Sequence, residues 1–206
     1  LKIGETRAQR WKDHMSQLLP EFDFFLADEP LDKNSIEYAI VWKPYAGWLK
    51  TFPKLKCIVS IGSGIDHVLS DPELPKDIPI IRTTGKELST RMREYVVLQV
   101  LRLHRKLPEV ELNQKLQEWK QIIEPPANER TVGIMGLGNL GADCAQTLAS
   151  IGFKVSGWSR SKKKIRNIDC FWGSLGRNDF LNRSEIIVCM LPLTPETEGI
   201  LNAELF

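Results

Sequence analysis

Short apolar runs recur along the first eighty or so positions: Phe22–Leu26, Tyr38–Trp42, Cys57–Ile61 and Ile78–Ile81. Their lengths suit β-strands, and helical or turn-rich connections separate them. This repeated spacing predicts a small parallel sheet covered by helices. Before the first run, Arg7–Leu19 reads as an amphipathic helix with Trp11, Met15, Leu18 and Leu19 on one side. After Thr83-Thr84-Gly85 the period lengthens. Leu88 to about Leu107 is helical and apolar on most of its surface (Met92, Tyr95, Val96, Val97, Val100, Leu101, Leu103), so it is predicted to be buried or to lie at a subunit interface, and Pro108 ends it. A second helix runs through Trp119 to a Pro125-Pro126 turn, which delivers the chain to a strand at Thr131–Met135. Phe153–Trp158 and Glu185–Met190 follow as strands, the last a continuous apolar run ending at Leu191-Pro192.

The strand at Thr131–Met135 runs straight into Gly136-x-Gly138-x-x-Gly141 and then a helix whose Leu140, Cys144 and Leu148 form one apolar face. A dinucleotide needs this arrangement. One glycine makes the tight turn, the next lets the backbone approach the pyrophosphate, and the third lets helix and strand pack closely. The helix N-terminus offers free N–H groups and the positive end of its dipole to the phosphates. In a doubly wound sheet of order 3-2-1-4-5-6, Thr131–Met135 is strand 1 and Glu185–Met190 is strand 4. The crevice for the pyrophosphate lies between them, whereas most of the second half of the sheet falls outside these residues.

The second strand carries the cofactor preference. An NAD-selective site places Asp or Glu about 20 residues past the first glycine to hold the ribose 2′-hydroxyl. Here the strand ends in Trp158-Ser159-Arg160-Ser161-Lys162-Lys163-Lys164, and no carboxylate appears until Asp169. Ser159 and Arg160 at the strand tip suit a 2′-phosphate, since Arg binds phosphate bidentately and stacks on adenine. Two charge-assisted hydrogen bonds contribute about 3 kcal/mol, roughly a hundredfold in affinity. NADPH is therefore expected over NADH. Lys162 and Lys164, taken singly, read as a solvated basic turn.

Composition narrows the class. The 206 residues suffice for two small domains with cores; 42% are hydrophobic and 26% charged, as in an ordinary soluble protein. A net charge of +2 argues against a nucleic-acid binder, and no run approaches the ~18 apolar residues of a membrane span. Cys57, Cys144, Cys170 and Cys189 show no C-x-x-C spacing and read as reduced, buried thiols of a cytoplasmic protein, with no metal site expected. Both ends read as cut: the chain opens at Leu1 and stops at Phe206 inside an α/β unit.

These residues resemble the D-isomer-specific 2-hydroxyacid dehydrogenases, and within them the bacterial glyoxylate/hydroxypyruvate reductases. Val132-Gly-Ile-Met-Gly-x-Gly-Asn-Leu-Gly141, with Val155-x-x-Trp158-Ser159 after it, fits the family's dinucleotide signature. Met190-Leu-Pro-Leu-Thr-Pro-Glu-Thr-Glu-Gly-Ile-Leu-Asn202 resembles its second signature, with departures at Glu185 and Met190. Ile61-Gly-Ser-Gly-Ile-Asp66 resembles the substrate loop, whose backbone N–H groups at Ser63 and Gly64 would hold a carboxylate in an anion-binding nest. Val41-Trp42-Lys43-Pro44 resembles the reductases' aromatic site wall. Without the resemblance, Gly62–Asp66 reads equally as a strand-to-helix turn, and Trp42 as core.

The resemblance implies a flavodoxin-like substrate domain over 1–84 and a Rossmann domain over 85–206, incomplete at its C-terminus. It implies substrate contacts from Trp42, Ser63 and Gly64. Cofactor contacts are expected from Gly136, Gly138, Asn139, Leu140, Gly141, Ser159, Arg160, Ser161, Lys163, Leu191 and Pro192. The implied reaction passes hydride from NADPH to a small 2-oxo acid, in a homodimer. Its arginine, glutamate and histidine are expected beyond Phe206, so no catalytic residue is assigned within 1–206. His14 reads as a surface-helix residue and His104 as a solvated helix end; His67, next to the substrate loop, reads as structural. Arg93 with Glu94 has no role that spacing reveals. The same fold also serves non-catalytic regulators of the corepressor type, and a truncated remnant is a further alternative.

Overall fold

The structure, a computed structural model, describes residues 1–205. They fold into two compact units, Leu1–Thr84 with Pro192–Pro195, and Gly85–Leu191 with the remaining C-terminal residues.

The first unit opens with helix α1 (Glu5–Leu18) and is built on a parallel sheet of β1 (Tyr38–Val41), β2 (Cys57–Ser60) and β3 (Ile80–Arg82), in that order. A short helix, α2 (Asp66–Leu69), follows β2. Backbone bonds extend the sheet beyond β1. Lys2 N–H donates to the Ile40 carbonyl at 2.8 Å, Trp42 N–H donates to the Lys2 carbonyl at 2.6 Å, and Ala27 N–H donates to the Leu1 carbonyl at 3.1 Å. With Leu1–Ile3 and the residues around Phe25 counted as strands, the order is the flavodoxin-like 2-1-3-4-5.

Phe22–Leu26 is nevertheless not a strand. Phe22 N–H turns back to Leu19, and Leu26 N–H is taken by the Glu29 carboxylate at 2.7 Å, so local bonds compete with a ladder. The third strand starts at Ile80 rather than Ile78, because Pro79 has no N–H to donate and only its carbonyl joins the sheet. Helix α1 forms where expected, yet Trp11, Leu18 and Leu19 are exposed, and its burial is made by Ala8. The core of the unit is Val41, Leu49, Phe52, Leu55, Ile58 and Val68.

The second unit begins with helices α3 (Lys86–His104) and α4 (Leu107–Lys115). Strands β4 (Thr131–Met135), β5 (Lys154–Ser159), β6 (Asp169–Trp172) and β7 (Ile186–Cys189) pair in parallel in the order β6-β5-β4-β7. With β4 as strand 1 this is the expected 3-2-1-4. Helix α5 (Asn139–Ile151) joins β4 to β5, and α6 (Gly173–Arg183) joins β6 to β7. The core gathers Val132 and Ile134 of β4, Cys144, Ala145 and Leu148 of α5, and Val96 and Val100 of α3, while α6 adds a fully buried Phe180.

Several expectations need correction here. Only Val96, Val100 and His104 of α3 are fully buried; Tyr95, Leu98 and Leu103 are exposed, because a helix lying on one side of a sheet has an outer face. Pro108 does not merely end a helix. Lys106 turns the chain through a left-handed conformation (φ 48°), and Pro108 falls in the first turn of α4, where its missing N–H has no partner to lose. The second helix stops at Lys115, and Trp119 beyond it is 96% exposed. Strand β6 escapes the sequence reading, since it is four residues long and opens on Asp169. Cys57 and Cys144 are buried free thiols, but the Cys189 thiol at the end of β7 is exposed.

His104 is not a solvated helix end. It is 4% exposed, its ring packs edge-on to Phe153 at 5.0 Å, and its buried Nδ1 has no partner among the described residues. Burial first, then Arg130 and Arg105, hold its pKa below the ordinary imidazole value. The unfolded chain therefore takes up a proton near pH ~6.5 that the folded unit resists, so this contribution to stability is present above about pH 6.5 and is lost as pH falls below it. We expect His104→Gln to show a smaller drop in urea midpoint than the parent between about pH 7.5 and about pH 5.5. An equal drop in both would contradict this reading.

Candidate functional site

In the second unit the site forms at the carboxyl ends of β4, β5 and β7, where the strand order reverses. Gly136 leaves β4 with φ 101°, a conformation L side chains rarely adopt. It is clamped on both sides: its N–H donates to the Trp158 carbonyl at 2.7 Å, and an added Cβ would lie 2.9 Å from the Met190 carbonyl. Gly141, in the first turn of α5, packs so closely that any Cβ would run into the Gly136 carbonyl oxygen. Gly138 differs, because nothing lies within 4 Å of the place its Cβ would take. The first backbone bond of α5 is Ala142 N–H to the Gly138 carbonyl at 2.8 Å, and no side chain caps the helix. Asn139, Leu140 and Gly141 therefore present N–H groups with no acceptor among the described residues. Leu191 N lies beside Gly136. Pro192 groups with the first unit.

At the tip of β5, Ser159 is buried and its hydroxyl donates to the Ser161 carbonyl at 2.8 Å, which curls the chain into a turn. Arg160, Ser161 and Lys163 are exposed, and no carboxylate pairs with Arg160 or Lys163 among the described residues. Lys162 is occupied differently, its ammonium 4.8 Å above the Trp172 ring. Asp169 pairs in register with Ser156, three residues back along β5 from Ser159, and so is at the far side of the strand from the tip. Arg93 bonds Asp143 through its guanidinium at 3.1 Å, tying α3 to α5.

In the first unit, Ile61–Ile65 links β2 to α2. Trp42 follows β1 and is 41% exposed; its indole packs against Gly62, leaving no room there for a Cβ. The His67 ring is tilted against the indole, centroid to centroid at 4.4 Å. Ser60, fully buried, accepts from Gly62 N–H at 3.2 Å and lies 3.3 Å from His67 Nε2. The Ser60 hydroxyl thus links Gly62 to His67. Burial holds the His67 pKa down, with Lys43 adding to it and Asp66 opposing. The N–H groups of Ser63 and Gly64 have no acceptor among the described residues, and Arg82 donates to the Ser63 carbonyl at 3.2 Å. Trp42, Ser63 and Gly64 are thus brought together in one loop cluster. Sequence reasoning missed Ser60 and Arg82, whose only signal was their place at strand ends.

Residues 97–206 match the model for "D-isomer specific 2-hydroxyacid dehydrogenase, NAD binding domain". The chain belongs to this family. It is 36% identical over 204 residues to a glyoxylate/hydroxypyruvate reductase A of Serratia proteamaculans, covering 97% of this chain and 65% of that protein. It thus spans about 65% of the length of the curated relatives it matches. A family member of Xanthobacter autotrophicus, solved with NADPH and MES, superposes with TM-score 0.90 at 38% identity over 98% of this chain and 66% of the other. An NADPH-dependent glyoxylate/hydroxypyruvate reductase of Sinorhizobium meliloti, solved with NADP and sulfate, has TM-score 0.90 and 38% identity over 99% of this chain and 65% of the other. The loop Gly136–Gly141 lies within the matched stretch.

Two of the glycines separate packing from ligand approach. Gly141→Ala should destabilise the protein by about 3 kcal/mol or more, because backbone must move to admit the methyl group. Gly138→Ala should stay within about 0.5 kcal/mol in a urea titration. Equal losses would mean that Gly138 too is a packing residue.

Proposed function

We propose that the full-length protein is an NADPH-dependent reductase of small 2-oxo acids, of the glyoxylate or hydroxypyruvate type, giving the 2-hydroxy acid. The observation that carries this is the pairing of two features in the second unit: unsatisfied N–H groups at the start of α5, and unpaired Arg160 and Lys163 at the tip of β5 with no carboxylate beside them. The residues fit the cofactor. Gly136, Gly138, Asn139, Leu140 and Gly141 would hold its pyrophosphate by backbone donors and open space, with Leu191 beside Gly136, and Pro192 is a further expected cofactor contact. Ser159 shapes the turn from which Arg160, Ser161 and Lys163 would hold the 2′-phosphate. The bound cofactor supplies the hydride.

Ser63 and Gly64 N–H would hold the substrate carboxylate, and Trp42 would wall the site. Such donors fix the acid's orientation without any proton transfer of their own. The general acid and the carboxylate arginine that the family implies are assigned to none of residues 1–206. The exposed apolar residues of α3 and α4, among them Tyr95, Leu98 and Leu112, support a homodimer, and the free thiols a cytoplasmic protein.

Arg160→Ala should weaken NADPH binding roughly tenfold and leave NADH nearly unchanged, as one charge-assisted hydrogen bond is lost. Equal dissociation constants of the parent for the two cofactors would reject the 2′-phosphate assignment. Oxalate, a small dicarboxylate, should quench tryptophan fluorescence in the presence of NADPH. If it does not, the protein binds a dinucleotide and the substrate loop has been misread.

A further inference from the structure

Arg82 ends β3, opposite Ser60 in the sheet register, and Thr83 beyond it bonds the Ser60 carbonyl through both its N–H and its hydroxyl, each at 3.1 Å. The backbone of Arg82 is thus fixed against the strand that feeds the substrate loop. Its exposed guanidinium reaches across to the Ser63 carbonyl at 3.2 Å, and no carboxylate pairs with it among the described residues. That carbonyl belongs to the same peptide unit as the Gly64 N–H. A cation bonded to an amide oxygen draws electron density from nitrogen through the amide resonance, so the N–H at the other end becomes a stronger donor. The bond also fixes the plane of that peptide, and with it the direction of the N–H.

We propose that Arg82 is a positioning residue for carboxylate binding, acting through the Ser63–Gly64 peptide rather than by touching the substrate. This rests on the reading of that loop as the carboxylate cradle. Asp66 raises the demand on the loop's N–H donors. Its Oδ1 lies 2.9 Å from where a Cβ on Gly64 would be, and a carboxylate so close repels an incoming anion. Arg82, by polarising the Ser63–Gly64 peptide, strengthens the donor that must hold the anion there. Ser60 and His67 complete the support from the other side, through Gly62 N–H and the Trp42 ring.

The test uses the full-length protein with NADPH bound and oxalate as the probe. Arg82→Gln should weaken oxalate binding roughly three- to tenfold, the size of one net hydrogen bond, with NADPH affinity unchanged. The Gly64 amide nitrogen resonance should move upfield as its peptide loses the bond at Ser63, and Arg82→Lys should restore both readings in part. A tether that only stabilises the loop would not move that resonance in step with oxalate affinity. Unchanged oxalate binding in Arg82→Gln overturns the proposal and leaves the loop reading intact. So does weaker binding with an unmoved Gly64 resonance, which would assign the effect to bulk charge. If Arg82→Gln does not fold, Arg82→Lys carries the same comparison. A parent protein that ignores oxalate overturns the loop reading and this proposal together.

Discussion

The close crossing of α5 over β4 is the constraint on which the second unit depends. Gly141 lies against the Gly136 carbonyl with no room for a Cβ, so the helix begins at the very end of the strand and points its free N–H groups into the crevice between β4 and β7. Gly136 is held there by Trp158 on one side and Met190 on the other. The turn is therefore rigid at its base and open at Gly138. An anion site built from backbone needs this combination, since peptide dipoles bind strongly only when they are already aligned.

The other end of β4 is secured by charge. Arg130 bonds Glu124 at 2.9 Å and Glu185 at 3.1 Å, Lys106 adds to Glu124 at 2.8 Å, and the Glu185 carboxylate also accepts from Thr131 N–H. This network joins the turn after α3, the segment before β4 and the start of β7. Each Glu185 carboxylate oxygen thus has its own partner, Arg130 for one and Thr131 N–H for the other. Glu124 is nearly buried, and its pairing with Lys106, the largest influence, holds its carboxyl below the usual range. His104 lies in the same region as a neutral ring, which leaves the net charge around Glu124 for the two cations to balance.

The fold and the strand–glycine turn–helix geometry of the candidate nucleotide loop were largely legible because both are written in local chemistry. Short apolar runs, glycines at fixed offsets and a Pro-Pro turn each have a meaning within a dozen residues. The misses share a different cause. Phe22–Leu26 has the composition of a strand, yet Glu29 takes its N–H; β6 has a polar start, yet the neighbouring strand pairs with it. His104 stands among Arg102, Arg105 and Lys106 in sequence, but its ring is turned inward onto Phe153. In each case a partner outside the local run outweighed the local preference.

The sequence alone determined the parallel α/β architecture, the order of the dinucleotide strands and the chemistry of the β5 tip, because periodicity, glycine spacing and the absence of a carboxylate are properties of the chain itself. Tertiary structure decided which glycine is needed for packing and which leaves space, which apolar residues of α3 face the core, and how Ser60, His67 and Arg82 support the loop at Ser63 and Gly64. These depend on distances between strands separated by twenty residues or so, and only the folded sheet sets them.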